Sequence, residues 1–177
     1  MQISRKQDLL NNFLKKQALA ATALIVMLSI SMFAAVTLVS AHEPPWEIPT
    51  YSYISVDPNP VGVNQTVFIV FWVNRPPPTS TGIAGDRWRN LTVEITKPDG
   101  TKETLGPFTS DPIGGSYSLY RPDQIGQYTF FFSWPGQKLS LTGPSGIPGT
   151  DSPFVNDTFL GSNATTTLTV QSEQLSP

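Results

Sequence analysis

Hydrophobic positions are distributed along this chain in two unlike ways. From Gln17 to Ala41 runs a stretch of 25 residues without one charged side chain. From Tyr51 onward, short runs rich in aromatic and β-branched residues are broken by turn residues at intervals of about ten, the spacing of a sandwich or barrel. Tyr51–Val56 predicts a first strand, closed by Asp57-Pro58-Asn59-Pro60. Gln65–Val73 is apolar on both faces, as expected of a central strand buried on one side and covered on the other. Leu91, Val93 and Ile95 alternate with Asn90, Thr92, Glu94 and Thr96, which predicts a strand with one buried face. Lys97-Pro98-Asp99-Gly100 has the turn chemistry of a hairpin, so Thr101–Leu105 is expected to return antiparallel. Ser116–Tyr120, Gln127–Trp134 and Ala164–Gln171 supply three more strands. Residues 135–163 are rich in Gly, Pro and Ser, and read as one long loop.

About seven strands, no helix after the export segment and one long late loop favour a Greek-key sandwich over a closed barrel. The predicted fold is thus all-β, an Ig-like sandwich of about seven strands preceded by an N-terminal hydrophobic export or anchor helix. Glycine and proline sharpen the boundary, since all 30 of them follow Ala41. Ahead of the apolar run stand Arg5, Lys6, Lys15 and Lys16 against the single acid Asp8, and Val39, Ser40 and Ala41 end it. A basic head, an apolar run and small terminal residues make a secretory signal, with cleavage after Ala41 leaving His42 first. The run exceeds an ordinary signal core and is long enough to cross a bilayer. If it is not cleaved, residues 17–41 anchor the chain in the membrane with the N-terminus cytoplasmic. The domains read as 1–41, signal peptide or signal anchor; 42–49, linker; 50–172, sandwich; and 173–177, tail.

Residues 42–177 carry seven Lys/Arg against twelve Asp/Glu, a formal charge of −5. That balance excludes a nucleic-acid footprint. With no cysteine, the domain has no disulfide framework, no thiolate metal site and no thiol nucleophile. Exported small domains often rely on disulfides, so here the core alone must hold the layers together.

Asp123-Gln124-Ile125-Gly126-Gln127-Tyr128 resembles the approach to the penultimate strand in many immunoglobulin-like domains. There the tyrosine hydroxyl hydrogen-bonds back to upstream backbone and pins the corner. Phe130 stands where antibody-type domains place a cysteine, with Trp88 and Trp134 available to fill the core. The resemblance implies a cysteine-free relative whose structural core includes Trp88, Tyr128, Phe130 and Trp134. Burying one Phe is worth roughly 1.5–3 kcal/mol, comparable to about 2–4 kcal/mol for a disulfide. The opening, Tyr53-Ile54-Ser55-Val56-Asp57-Pro58-Asn59-Pro60-Val61-Gly62-Val63-Asn64-Gln65, is similar to Ig-like modules that begin secreted archaeal proteins, some of which continue into a β-propeller. No propeller function is carried over from this resemblance.

Candidate chemistry is sparse. His42 is the one histidine; with a free amine and Glu43 it could hold Cu(II) loosely, but a histidine brace needs a second imidazole, and a solvated junction residue is the expectation. A Ser–His–Asp triad has no base unless a mobile His42 reaches it. The acids Asp57, Asp99, Asp111 and Asp123 sit in turn signals and Glu94 on a polar strand face, so no catalytic pair is assigned. Asp86, Asp111, Asp151 and Asp157 lie in loops but lack calcium-loop spacing. No catalytic, metal or cofactor site is therefore expected. Four N-x-[ST] sequons, headed by Asn64, Asn90, Asn156 and Asn163, are candidate glycan acceptors in an exported chain.

Trp46, Trp72, Trp88, Trp134, Phe68 and Phe131 exceed what one sandwich face needs, because Phe68 and Trp72 point opposite to Ile69 and Phe71. Loops 75–90 and 135–163 are expected to fold over the surplus and complete the core; left open, it would be a sugar-stacking or partner surface. The sequence predicts a non-enzymatic structural or interaction module, secreted or at the cell surface, that meets an unknown protein or glycan through loops or a sheet edge. A carbohydrate-binding accessory domain and a pilin-like filament subunit are the alternatives.

Overall fold

The computed structural model describes residues 14–27, 42–139 and 152–176. The chain divides into two compact units, one ending at Leu38 and one beginning at Val39. In the first, residues 14–27 form a helix, α1. Its 14 described residues span about 21 Å. Lys15 and Lys16 lie inside it, and among the described residues no helix is long and apolar enough to cross a membrane. The remainder of the expected export segment, with its cleavage position after Ala41, lies outside the described residues.

The second unit is predominantly β and built as two sheets. Its strands are β1 (Glu47–Ile48), β2 (Ser52–Asp57), β3 (Val61–Gly62), β4 (Val67–Val73), β5 (Leu91–Thr96), β6 (Lys102–Phe108), β7 (Gly115–Tyr120), β8 (Gly126–Lys138) and β9 (Thr158–Gln171). The larger sheet runs β1-β9-β8-β5-β6, with β3 also on β9, and the smaller runs β2-β4-β7. Both two-residue strands pair parallel to β9; the longer neighbours pair antiparallel.

Alternation sets which face each strand buries. On β4, Val67, Ile69, Phe71 and Val73 are buried; on β5, Leu91, Val93 and Ile95; on β8, Tyr128, Phe130, Phe132 and Trp134. The two layers meet through rings. Phe71 of the small sheet lies 5.0 Å from Phe132 and 5.3 Å from Phe108, centroid to centroid, and Tyr120 meets Phe130 edge-on at 5.7 Å. Trp88, from the β4–β5 connection, packs on Trp134 at 4.8 Å and Phe159 at 4.9 Å, closing one end of the core.

Two turns behave as their residues demand. In the β5–β6 hairpin, the Gly100 N–H donates to Lys97 C=O, and Asp99 accepts from both the backbone N–H and the hydroxyl of Thr101. Those bonds, with one from the Gln124 amide, lower the Asp99 pKa to about 2. At the entry to β8, Tyr128 Oη accepts from the Gln124 N–H at 2.8 Å and donates to Asp123. Lys97 bonds both Asp123 oxygens, at 3.0 and 3.2 Å, which holds that carboxyl below its usual range and raises the lysine. Burial pushes the Tyr128 hydroxyl up.

The expected loop over 135–163 is corrected at both ends. Pro135–Lys138 extend β8 and Thr158–Asn163 extend β9, pairing from Trp134↔Ser162 to Lys138↔Thr158. Pro135 is tolerated because it lies beyond the last β5 pair, Thr92↔Ser133. Gly136, at φ +85°, makes the local backbone reachable, and a Cβ there would sit 2.6 Å from Phe159 C=O; a Cβ on Gly161 would sit 2.8 Å from Pro135 backbone. The ribbon turns here, so that Phe159 and Leu139 are buried although the inward parity before the kink was even. Gly136→Ala is expected to lower unfolding stability by about 1–3 kcal/mol, the scale of a strained left-handed residue; urea denaturation measures it, while Gly82→Ala, in open space, serves as the near-neutral comparison.

Candidate functional site

Sequence parity on the small sheet places Tyr53 opposite Trp72, Ser55 opposite Val70 and Asp57 opposite Phe68. From the other side, Tyr117 lies opposite Val70 and Leu119 opposite Phe68. All of these project away from the core, so three strands contribute one continuous outer face. It stays open: Trp72 is 38% exposed, Phe68 42%, Tyr53 46% and Tyr117 64%. The expectation that loops 75–90 and 135–163 would cover this surplus is therefore overturned for the described part. Loop 75–90 instead plugs the end of the sandwich with Trp88, whose indole N–H donates to Arg75 C=O at 2.7 Å; of the other loop, residues 140–151 lie outside the described set.

The rings are ordered against each other. Tyr53 and Trp72 stack with planes 15° apart and centroids 5.3 Å apart, while Phe68 and Tyr117 tilt at 37° across the same distance. Beside them opens a groove of about 610 Å³, floored by Phe68, Val70 and Trp72 and rimmed by Tyr117, Ile113 and Asp111. Asp111 Oδ1 accepts from the N–H groups of Ile113 and Gly115, which fixes the rim. Thr109, Ser110 and Ser116 complete the lining. An apolar floor with polar edges binds a ligand that has both kinds of surface.

Of the remaining aromatics, Trp88 and Trp134 are fully buried with Tyr128 and Phe130. Phe131 is exposed on the opposite, Thr-rich sheet, and Trp46 near β1. Tyr53 and Tyr117 were not singled out in the sequence, although the alternation of Tyr53 with Ser52 and Ile54 carries the signal.

His42 is placed unlike a solvated junction residue. Its Nδ1–H donates to Asp157 Oδ2 at 2.6 Å, with the histidine side chain 23% exposed and the aspartate 0%. Asp157 Oδ1 accepts from the Trp46 N–H at 2.7 Å. The imidazole lies flat on the Trp46 indole, 3.4 Å between centroids and 7° between planes, with Phe154 at 5.6 Å. A linker expected at 42–49 is thus docked, and it continues into β1, where Thr158 N–H donates to Trp46 C=O. A separation of 115 residues hides this pair from any local motif.

The loop acids do not converge. Asp86 bonds Thr79, Asp111 its own turn, and Asp157 His42; Asp151 lies outside the described residues. Among the described residues, no group of three His, Cys, Asp or Glu is set to hold a metal. The four sequon asparagines are all exposed, three of them at positive φ: Asn64 and Asn156 in turns and Asn90 just ahead of β5. Comparison with protein-family models, curated proteins and solved structures finds no match to this chain.

Removing His42 strips a fully buried carboxylate of its imidazole hydrogen bond, whereas removing the acid leaves an imidazole that reaches water. His42→Ala should therefore cost more than Asp157→Asn, about 1–3 kcal/mol by the scale of a buried acceptor left unsatisfied. Parallel urea titrations of the two variants decide the order.

Proposed function

We propose that this chain is a non-enzymatic interaction module, exported and displayed outside the cytoplasm, whose binding surface is the aromatic outer face of β2, β4 and β7. The exposed row Tyr53, Trp72, Phe68 and Tyr117 carries this reading. Exposed rings on rigid strands keep their geometry without a ligand and lose little entropy on contact. No internal demand of the fold requires them, since the core is already complete beneath.

An immunoglobulin-like arrangement is the fold that fits. The first long strand, β2, sits beside β4, and the following β3 transfers to β9 in the other sheet. Strand orders β2-β4-β7 and β9-β8-β5-β6, with the Tyr128 hydroxyl bonded to the Gln124 N–H ahead of β8, support a Greek-key reading. Export rests on the basic head, the apolar run and the small residues at 39–41. The exposure of Asn64, Asn90, Asn156 and Asn163 suits glycan attachment. Intact-mass and N-terminal sequencing of the protein from its own cells tests the export reading. A start at His42 with hexose-sized increments supports it, an intact Met1 with membrane retention means an anchor, and a start at Gln17 or Leu19 means a pilin-like subunit. A soluble cytoplasmic chain beginning at Met1 would sink it.

A second reading makes the ligand a carbohydrate. The near-parallel Tyr53 and Trp72 rings and the Asp111 carboxylate at the groove rim favour it, because sugars present C–H faces and hydroxyl edges together. Titrating the chain with soluble polysaccharides should quench tryptophan fluorescence, and Trp72→Ala should weaken binding by about tenfold, a loss of roughly 1.4 kcal/mol. A flat titration with every polysaccharide removes the carbohydrate and leaves a protein partner.

A further inference from the structure

β7 is the one long edge strand in the described fold that nothing blunts. β6, at the far edge of the large sheet, carries Lys102, the Gly106-Pro107 pair and Glu103, whose register with Ile95 aims it inward; inward charge, lysine and proline are the devices that stop edge pairing. β2 turns its edge toward β9, where Thr50 and Ser52 hydroxyls reach Ser162. The outer edge of β9 is held by β1 and β3 at its ends and by Asn59, which bonds Thr167 C=O and Thr169 N–H. β7, Gly-Ser-Tyr-Ser-Leu-Tyr, has neither a charge nor a proline.

Hydrogen-bond alternation identifies the open groups. Val73 N–H donates to Gly114 C=O in continuation of the Trp72↔Gly115 register, so residues 116, 118 and 120 face β4 and residues 115, 117 and 119 face away. Gly115 is satisfied by the Asp111 loop, which takes both its C=O and its N–H. Tyr117 and Leu119 remain, on a strand that ends the small sheet, with Leu119 C=O accepting only a long 3.4 Å bond from the adjacent Ser118 hydroxyl.

We propose that β7 pairs antiparallel with β7 of a second copy of this chain, about a two-fold axis at Ser118. In that register Tyr117 faces Leu119 of the other copy, and all four outward N–H and C=O groups of each strand find partners. On the outer face the Tyr117 ring meets the Leu119 side chain, joining two aromatic faces into one. Charge supports a self-pair over any other strand. The next residue, Arg121, is exposed and falls opposite Gly115 of the copy, where Asp111 sits. Symmetry makes this contact twice, and among the described residues neither side chain is in an ion pair within one chain. The pairing is independent of what the aromatic face binds.

The absence of cysteine allows a register-specific test on the full chain in mild detergent. Ser118→Cys places each thiol beside its own copy, whereas Ser116→Cys lies about 14 Å from its copy, four residues along the strands. With diamide as oxidant, the first should give a dimer band on a non-reducing gel and the second should not. Arg121→Glu added to Ser118→Cys should abolish the band, with far-UV circular dichroism unchanged. No band from Ser118→Cys, or equal bands from both thiols, would overturn the proposal; equal bands would mean random collision or association through another segment.

Discussion

With no sulfur to clamp the layers, everything in the β unit depends on aromatic side chains meeting across the gap between the sheets. Phe71 on the small sheet contacts Phe132 and Phe108 on the large one, and Tyr120 contacts Phe130 and Tyr128. Each ring removes far more apolar area from water than a branched aliphatic would, and tilted ring pairs add about 0.5–1.5 kcal/mol beyond area alone. That density lets small inward residues on β7, Ser116 and Ser118, coexist with a closed core. It also fixes strand parity, because a slip by one residue would turn Phe71 outward and Trp72 inward.

Parity fixed from inside determines what the outside offers. Once Ile69 and Phe71 are buried, Phe68, Val70 and Trp72 have to face away from the core, and pairing adds Tyr53 on one flank and Tyr117 with Leu119 on the other. A contiguous apolar face of this kind is uncommon on an isolated soluble domain unless it meets something. The ends of the sandwich follow from the same constraint. Trp88 is drawn in to cap the core, so the β4–β5 loop is spent on structure and does not shield the face. At the same end, the Gly136–Gly161 crossing bends the β8–β9 ribbon, which lets Phe159 and Leu139 bury and carries Asp157 to where His42 docks.

The two polar anchors differ in kind. The Lys97–Asp123–Tyr128 corner brings a hairpin turn to the β8 entry through an exposed carboxylate set over a buried tyrosine. His42–Asp157 is remote in sequence and buried on its acidic side. Its stacking on Trp46 ties the first described residues of the β unit to the start of β9.

How much could be seen in advance depends on the range of the force involved. Alternation of Leu91, Val93 and Ile95, the Pro-Asp-Gly turn and the Asp-x-x-Gly-x-Tyr corner are dictated by neighbours a few residues away, so an all-β reading with two layers was available from the residues themselves. The extent of β8 and β9 was not, because Pro135 and the surrounding glycines are loop signals until a partner strand arrives to accept them. Nor was the openness of the aromatic face: Phe68 and Trp72 have identical local patterns whether a loop covers them or water does. The union of His42 with Asp157 and the exposed edge of β7 likewise exist only once strands distant in sequence take their places. Local chemistry set the strands and their inward sides; the spatial order of those strands decided which surplus side chains and which backbone groups were left facing outward.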